Sequence, residues 1–348
     1  MSDAKKNNVR SIVLNRSQLL ILLALAFCAG VYVDRGVGIF GSARQDVAKG
    51  YLADGDGEYR YIRSAEQAKR PGSGRLPKEL KPFRYKVSAL VGSKLGSGEV
   101  SGISFYFRDL RYGQRFGIRE QERFSPETPL KLPLMIAYLK WAESTPLLLN
   151  RKIVLTGHHD AVPLKQATEQ HPLAEGKSYK ISTLIYRMIA YNDSEAYAVL
   201  KDNLPAGLLG KVVKDISVDY DPAKNDDSMT FNSYASFFRV LFNASYLSAE
   251  MSEKALRTLS KTAFKDGILS GVPADIDVVA KYGERMLPRS ADGVETGMRQ
   301  LHEFGIVYHP VHPYLIGIMV RGDDPRLLSK TLRDISALVY EEVDRQSR

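Results

Sequence analysis

Cysteine is almost missing from this chain of 348 residues: Cys28 is the only one, so no intrachain disulfide can form. Export is thereby neither required nor excluded. A G-x-x-x-x-G-K-S/T loop, the usual phosphate cradle of a nucleotide-binding enzyme, is also missing, as is any internal repeat. Net charge is missing from most of the chain. Residues 1–94 hold 17 Lys/Arg against 8 Asp/Glu, whereas residues 95–348 hold 32 of each, so the overall +9 belongs to the N-terminal part. A folded region without a basic excess argues against nucleic acid as a partner. His158, His159, Asp160, His302, His309 and His312 match no metal-ligand spacing, so no metal or other cofactor is expected. With 44% hydrophobic and 26% charged residues, a packed core is expected and wholesale disorder is not.

The N-terminus carries a targeting pattern. Residues 1–17 are polar, with Lys5, Lys6, Arg10 and Arg16, and read as a cytoplasmic tail. Leu19 to Val33 is uncharged and is closed by Asp34-Arg35. Such a run rises about 22 Å as a helix, short of the roughly 30 Å hydrocarbon core. Residues 18–40 therefore read as a signal-anchor, favoured by the long polar segment before it, or as a signal peptide cleaved near Ala24-Leu25-Ala26. The first places the C-terminal part outside the cytoplasm on a single-pass anchor, and the second secretes it. Residues 41–81, with Gly55, Gly57, Pro71, Gly72, Gly74 and Pro77 among many charges, read as a basic linker.

From residue 82 the pattern is that of one α+β domain. Apolar spacing predicts a helix over Pro82–Leu95, then a hairpin of Val100–Phe107 and Arg115–Ile118. Helices are predicted at Pro129–Glu143, Ile181–Asp202, Phe231–Asn243 and Ser252–Phe264. Strands return at Ile276–Tyr282, Phe304–His309 and Tyr314–Arg321, before an amphipathic helix over Leu327–Val343. Strands at both ends predict an antiparallel sheet flanked by N- and C-terminal helices, with a helical subdomain inserted between them.

Three short stretches carry chemistry. In Thr128-Pro129-Leu130-Lys131, proline fits the first helical position, threonine fits the cap, and i and i+3 share a helix face. A hydroxyl and an amine can then meet at a helix N-terminus whose field suits an oxyanion. Thr-Pro is equally a common helix start. Asn192-Asp193-Ser194 lies between helical runs, and taken singly is a routine cap. Lys281-Tyr282-Gly283-Glu284 closes a strand, where a lysine can bind a carboxylate and glycine permits close approach.

In order and spacing these stretches are near misses to S-x-x-K, S-D-N and K-T-G. With Phe124-Ser125-Pro126 before the first and Gly305-Ile306-Val307-Tyr308 in the closing hairpin, the chain resembles the class A β-lactamase and penicillin-binding-protein superfamily of serine hydrolases over about residues 83–345. The resemblance implies a β-lactamase/transpeptidase-like fold and a β-lactam or peptidoglycan-like acyl-peptide as ligand. It puts Thr128 at the nucleophile position, Lys131 at that of its activating lysine, and Asn192 where a proton-shuttling serine stands. Asp193 matches, and Ser194 replaces a substrate-binding asparagine. Lys281 and Gly283 match, Tyr282 replaces a small hydroxyl residue, and the backbone amides of Thr128 and Glu284 become the oxyanion donors. Between Asp215 and Thr230 the family's Glu-x-x-Leu-Asn, which deacylates, has no counterpart; Asp219, Asp221, Asp226 and Asp227 stand there instead. Two functions follow: an acyl hydrolase using Thr128, or a catalytically inactive relative that serves as a binding or scaffold module at the cell surface.

Overall fold

The computed structural model describes residues 59–62, 79–124, 130–156, 172–220, 229–287 and 297–348. All of them belong to one unit, Gly57–Arg348. The apolar run Leu19–Val33, Thr128, the His158-His159-Asp160 stretch and Asp221, Asp226 and Asp227 lie outside the described residues. Among the described residues no helix is long and apolar enough to cross a membrane.

The fold is α+β. Helix α1 (Arg84–Gly96) leads into strands β1 (Gly102–Asp109) and β2 (Arg115–Ile118). The middle of the chain carries α2 (Lys131–Ser144), α3 (Ile181–Ala190), α4 (Ser194–Asp202), α5 (Leu208–Asp215), α6 (Phe231–Phe242) and α7 (Ala249–Leu259), with the short strand pairs β3 (Arg123–Phe124) with β6 (Met229–Thr230) and β4 (Lys152–Val154) with β5 (Ser178–Lys180). Strands β7 (Val278–Met286), β8 (Arg299–Val307) and β9 (Tyr314–Gly322) return to the sheet, and α8 (Pro325–Ser347) ends the chain. The sheet order is β2-β1-β9-β8-β7, antiparallel throughout, so both ends of the domain complete one sheet and β7 forms an edge.

Period-two alternation divides the sheet between two cores. Register aligns Lys281, Phe304, Gly317 and Tyr106 on one face, and Tyr282, Glu303, Ile318 and Phe105 on the other. The first face meets the helical subdomain, where Phe304 packs among Phe231, Tyr234 and Phe238. Gly317 makes room for this: a Cβ there would lie 2.3 Å from the Phe304 ring. The second face is covered by α1 and α8, through Phe83, Val87, Leu332, Ile335 and Val339.

The helical stretch Ile181–Asp202 breaks at Asn192-Asp193-Ser194, because Asn192 takes φ +58°, which ends α3, and Asp193 caps α4 by accepting from the Glu195 and Ala196 amides. One expectation is corrected. The strand predicted to stop at Tyr282 runs on to Met286, paired with β8 along its length. The supposed linker also contains a docked piece. Tyr61 and Ile62 are buried in the helical core, and the Glu253 carboxylate accepts the backbone amides of Arg60, Tyr61 and Ile62 at 3.0, 2.8 and 3.2 Å. Arg60 also forks onto Asp277 at 2.6 and 2.8 Å. Glycine content reads as a spacer, but two adjacent apolar side chains gain more by burial than by solvation.

Two glycines separate propensity from packing. Gly92 is exposed in α1 with open space around a Cβ, so Gly92→Ala should stabilise by about 1 kcal/mol in urea denaturation. A Cβ at Gly271 would lie 2.6 Å from the Arg333 carbonyl and from Ser336 Cβ in α8, so Gly271→Ala should destabilise by roughly 1–3 kcal/mol.

Candidate active site

Helix α2 places the first amine. Its sequence is apolar nearly all round, and residues Lys131 to Leu139 are all buried, with α3, α5 and α7 packed against it. Pro133 is tolerated in its first turn, where amides lack helical partners anyway. The helix begins at Lys131 with Leu130 flanking it; the expected cap, Thr128, lies outside the described residues. Lys131 is only 2% exposed, so its amine must find acceptors inside the protein.

Those acceptors come from the junction of α3 and α4. The Lys131 amine donates to the Asn192 backbone carbonyl at 2.6 Å, to Asn192 Oδ1 at 3.1 Å and to Ser194 Oγ at 3.2 Å. Asparagine tolerates the left-handed backbone better than most residues, which is what aims both its oxygens at Lys131. Asp193 does not face the amines. Besides capping α4, its Oδ2 accepts from Arg187 Nε at 2.7 Å, locking the junction in place.

Strand β7 brings the second amine. Lys281 is fully buried and donates to the same Asn192 Oδ1 at 2.8 Å and to the Tyr282 carbonyl at 2.6 Å. Lysines 150 residues apart in sequence thus share one carboxamide oxygen. Asn192 Nδ2, on the other side of that carboxamide, is buried without an acceptor among the described residues. Burial, and then the neighbouring Lys131, holds the Lys281 amine well below the ordinary lysine range, opposed only by Glu303.

The remaining sequence-predicted residues divide by sheet face. Gly283 is on the Lys281 face, opposite His302. Tyr282 belongs by register to the opposite face. Its ring stacks on Phe264 at 4.9 Å on the other side of the sheet, and it joins the site through its carbonyl. Glu284 also turns away and accepts from Arg299 at 2.9 Å. Tyr282 and Glu284 line a separate pocket of about 410 Å³ with Phe264 and Arg326. The reason is the pleat: neighbours of Lys281 in sequence must alternate sides.

Two titratable groups beside the site escaped the sequence reading of the acyl-transfer motifs. Burial, and then Lys281, pushes His302 down to about 3, so it is neutral at physiological pH. Burial pushes Glu303 up to about 8, although the Ile268 amide donates to it at 2.6 Å. Their signal was a polar pair, His302-Glu303, between Leu301 and Phe304 in a strand. Among the described residues no group of three or more His, Cys, Asp or Glu could hold a metal ion.

The sequence model described as the beta-lactamase enzyme family matches residues 82–343. No curated protein matches the chain. Among solved structures, PBP-A is similar at 16% identity, with 77% of this chain and 99% of that one covered and a TM-score of 0.64. A variant of PBP-A, solved as an acyl-enzyme complex with penicillin G, is similar at 16% identity, 77% and 99% coverage, and a TM-score of 0.63. A β-lactamase from Sphaerobacter thermophilus is similar at 19% identity, 75% and 98% coverage, and a TM-score of 0.63.

Glu303 gives the site a measurable pH signature. Its folded value of about 8 lies above the roughly 4.3 of an unfolded glutamate. The stability it confers is therefore complete below about pH 4 and is lost as pH rises through 8. Glu303→Gln should match the parent protein near pH 4 and exceed it increasingly up to pH 8 in urea titrations. A gap that does not vary with pH would contradict this.

Proposed function

Because this chain belongs to the beta-lactamase enzyme family, we propose that its cleft takes an acyl group from a β-lactam or a peptidoglycan-like acyl-peptide, with Thr128 in place of the family's serine. Lys131, once its amine has released a proton, accepts the Thr128 hydroxyl proton as the oxygen attacks the acyl carbonyl. The carbonyl C–N bond breaks, the amine nitrogen leaves with a proton, and an ester remains on Thr128. Water then cleaves that ester and restores the alcohol. The observation that carries this reading is the meeting of Lys131 and Lys281 on Asn192, because buried amines are costly to keep where nothing uses them. Asn192 Nδ2 offers a donor to a ligand carbonyl. Hydrolysis is the slow half: residues 215–230 supply no glutamate to activate water, and the threonine methyl crowds the acyl carbon. The charged segment and apolar run at the N-terminus support a location outside the cytoplasm, with residues 18–40 as an anchor or as a signal peptide cleaved there.

A second reading, a non-catalytic binding or scaffold module, is favoured by one feature. Asn192 Oδ1 occupies both amines at once, and an asparagine cannot relay a proton as the family's serine does.

A fluorescent penicillin separates the two. The full-length protein should carry one stable label on the peptide containing Thr128. Thr128→Val and Lys131→Met should abolish it, and Thr128→Ser should speed labelling by up to about a hundredfold. Absence of label, together with absence of turnover of ester and amide acyl-peptides, would leave only the binding module.

A further inference from the structure

A second polar pocket lies on the same sheet face as Lys281 but three strands away, about 14 Å at ordinary strand spacing. It measures about 350 Å³ and is bounded by β1, the β1–β2 turn and the end of α6. Arg108, Arg111 and Arg239 line it, and among the described residues no carboxylate does. Register sets Arg108 directly opposite Arg115, a like-charged cross-strand pair that weakens the sheet unless something neutralises it. Arg108 has no ion-pair or hydrogen-bond partner among the described residues, while Arg115 is tied only to the neutral Asn232 at 3.0 Å. Arg239 is half-buried. It donates to Ser236 Oγ at 3.0 Å, and its Nε is buried with no partner among the described residues. Burial, and then Arg108 and Arg115, opposed by Tyr106, hold the Arg239 guanidinium below its ordinary range, as expected where positive charge is concentrated.

The turn that carries Arg111 is rigidly built. Asp109 Oδ1 accepts the amides of Arg111 and Tyr112 at 2.7 and 3.2 Å, and its Oδ2 meets His312 Nδ1 at 3.0 Å with both side chains fully buried. Three guanidinium forks around one pocket, with Arg111 Nη1 also donating to the Val311 carbonyl at 3.3 Å, suit a phosphate group, which accepts paired N–H donors. We propose that this pocket is a phosphate-binding site, distinct from the acyl-transfer cleft, that takes a phosphate ester, either soluble or presented by a lipid headgroup.

The test is titration of the full-length protein with inorganic pyrophosphate by calorimetry, and sedimentation with phosphatidylglycerol vesicles against phosphatidylcholine vesicles. Arg108→Gln and Arg239→Gln should each weaken binding at least about tenfold. Arg111→Gln, in the surface turn, serves if Arg239→Gln fails to fold. A double change of Arg10 and Arg16 to Gln, in the basic tail, should leave pyrophosphate binding unchanged. Loss of pyrophosphate binding in the pocket variants assigns a soluble ligand; loss of vesicle binding alone assigns the headgroup. Binding of both probes that is insensitive to the pocket arginines, or no binding of either at millimolar concentration, overturns the proposal.

Discussion

One carboxamide oxygen organises the candidate active site. Asn192 Oδ1 accepts from Lys131 and Lys281 together, and neither amine has water as an alternative. An amine withdrawn from water without acceptors costs more than a hydrogen bond returns. The helix start, the α3–α4 junction and the edge strand must therefore keep their relative positions for both lysines to remain buried. The backbone of Asn192 in the left-handed region, the Asp193 cap and the Arg187 contact all act on that junction. Helical subdomain and sheet are joined at this point by chemistry as well as by apolar packing.

The exchange within Asn192-Asp193-Ser194 acquires a geometric sense. The family pattern has a hydroxyl first and a carboxamide third; here the carboxamide is first and the hydroxyl third. Lys131 reaches both, at 3.1 and 3.2 Å, so the same two functional groups surround the amine from exchanged positions. What changes is which of them also reaches Lys281. That role falls to an amide, which accepts without passing a proton onward.

Much of the fold was legible because the apolar periods are clean. The β1–β2 hairpin, α6, β9 and α8 all fall close to where the alternation and the helical spacing put them. The meeting of Lys131 with Lys281 was legible only through the resemblance, since no local pattern relates a helix start to a strand 150 residues later. Two features were hidden for physical reasons. The side taken by Tyr282, which replaces a small hydroxyl residue, was hidden because a linear motif does not record which way a pleat turns a ring. The Arg60-Tyr61-Ile62 segment looked like spacer because glycine and charge around it mask two apolar residues, and its acceptor, Glu253, comes from a helix almost 200 residues away.

That docked segment determines where traction on the N-terminal side would be felt. A pull on the chain ahead of Tyr59 meets the grip of Glu253 on three successive amides, and the Arg60–Asp277 fork, before it reaches the sheet. Glu253 belongs to α7 and Asp277 directly precedes β7, so the load divides between the helical subdomain and the very strand that holds Lys281. The clasp acts as a strain relief, as on a cable, taking up the pull at Arg60, Tyr61 and Ile62.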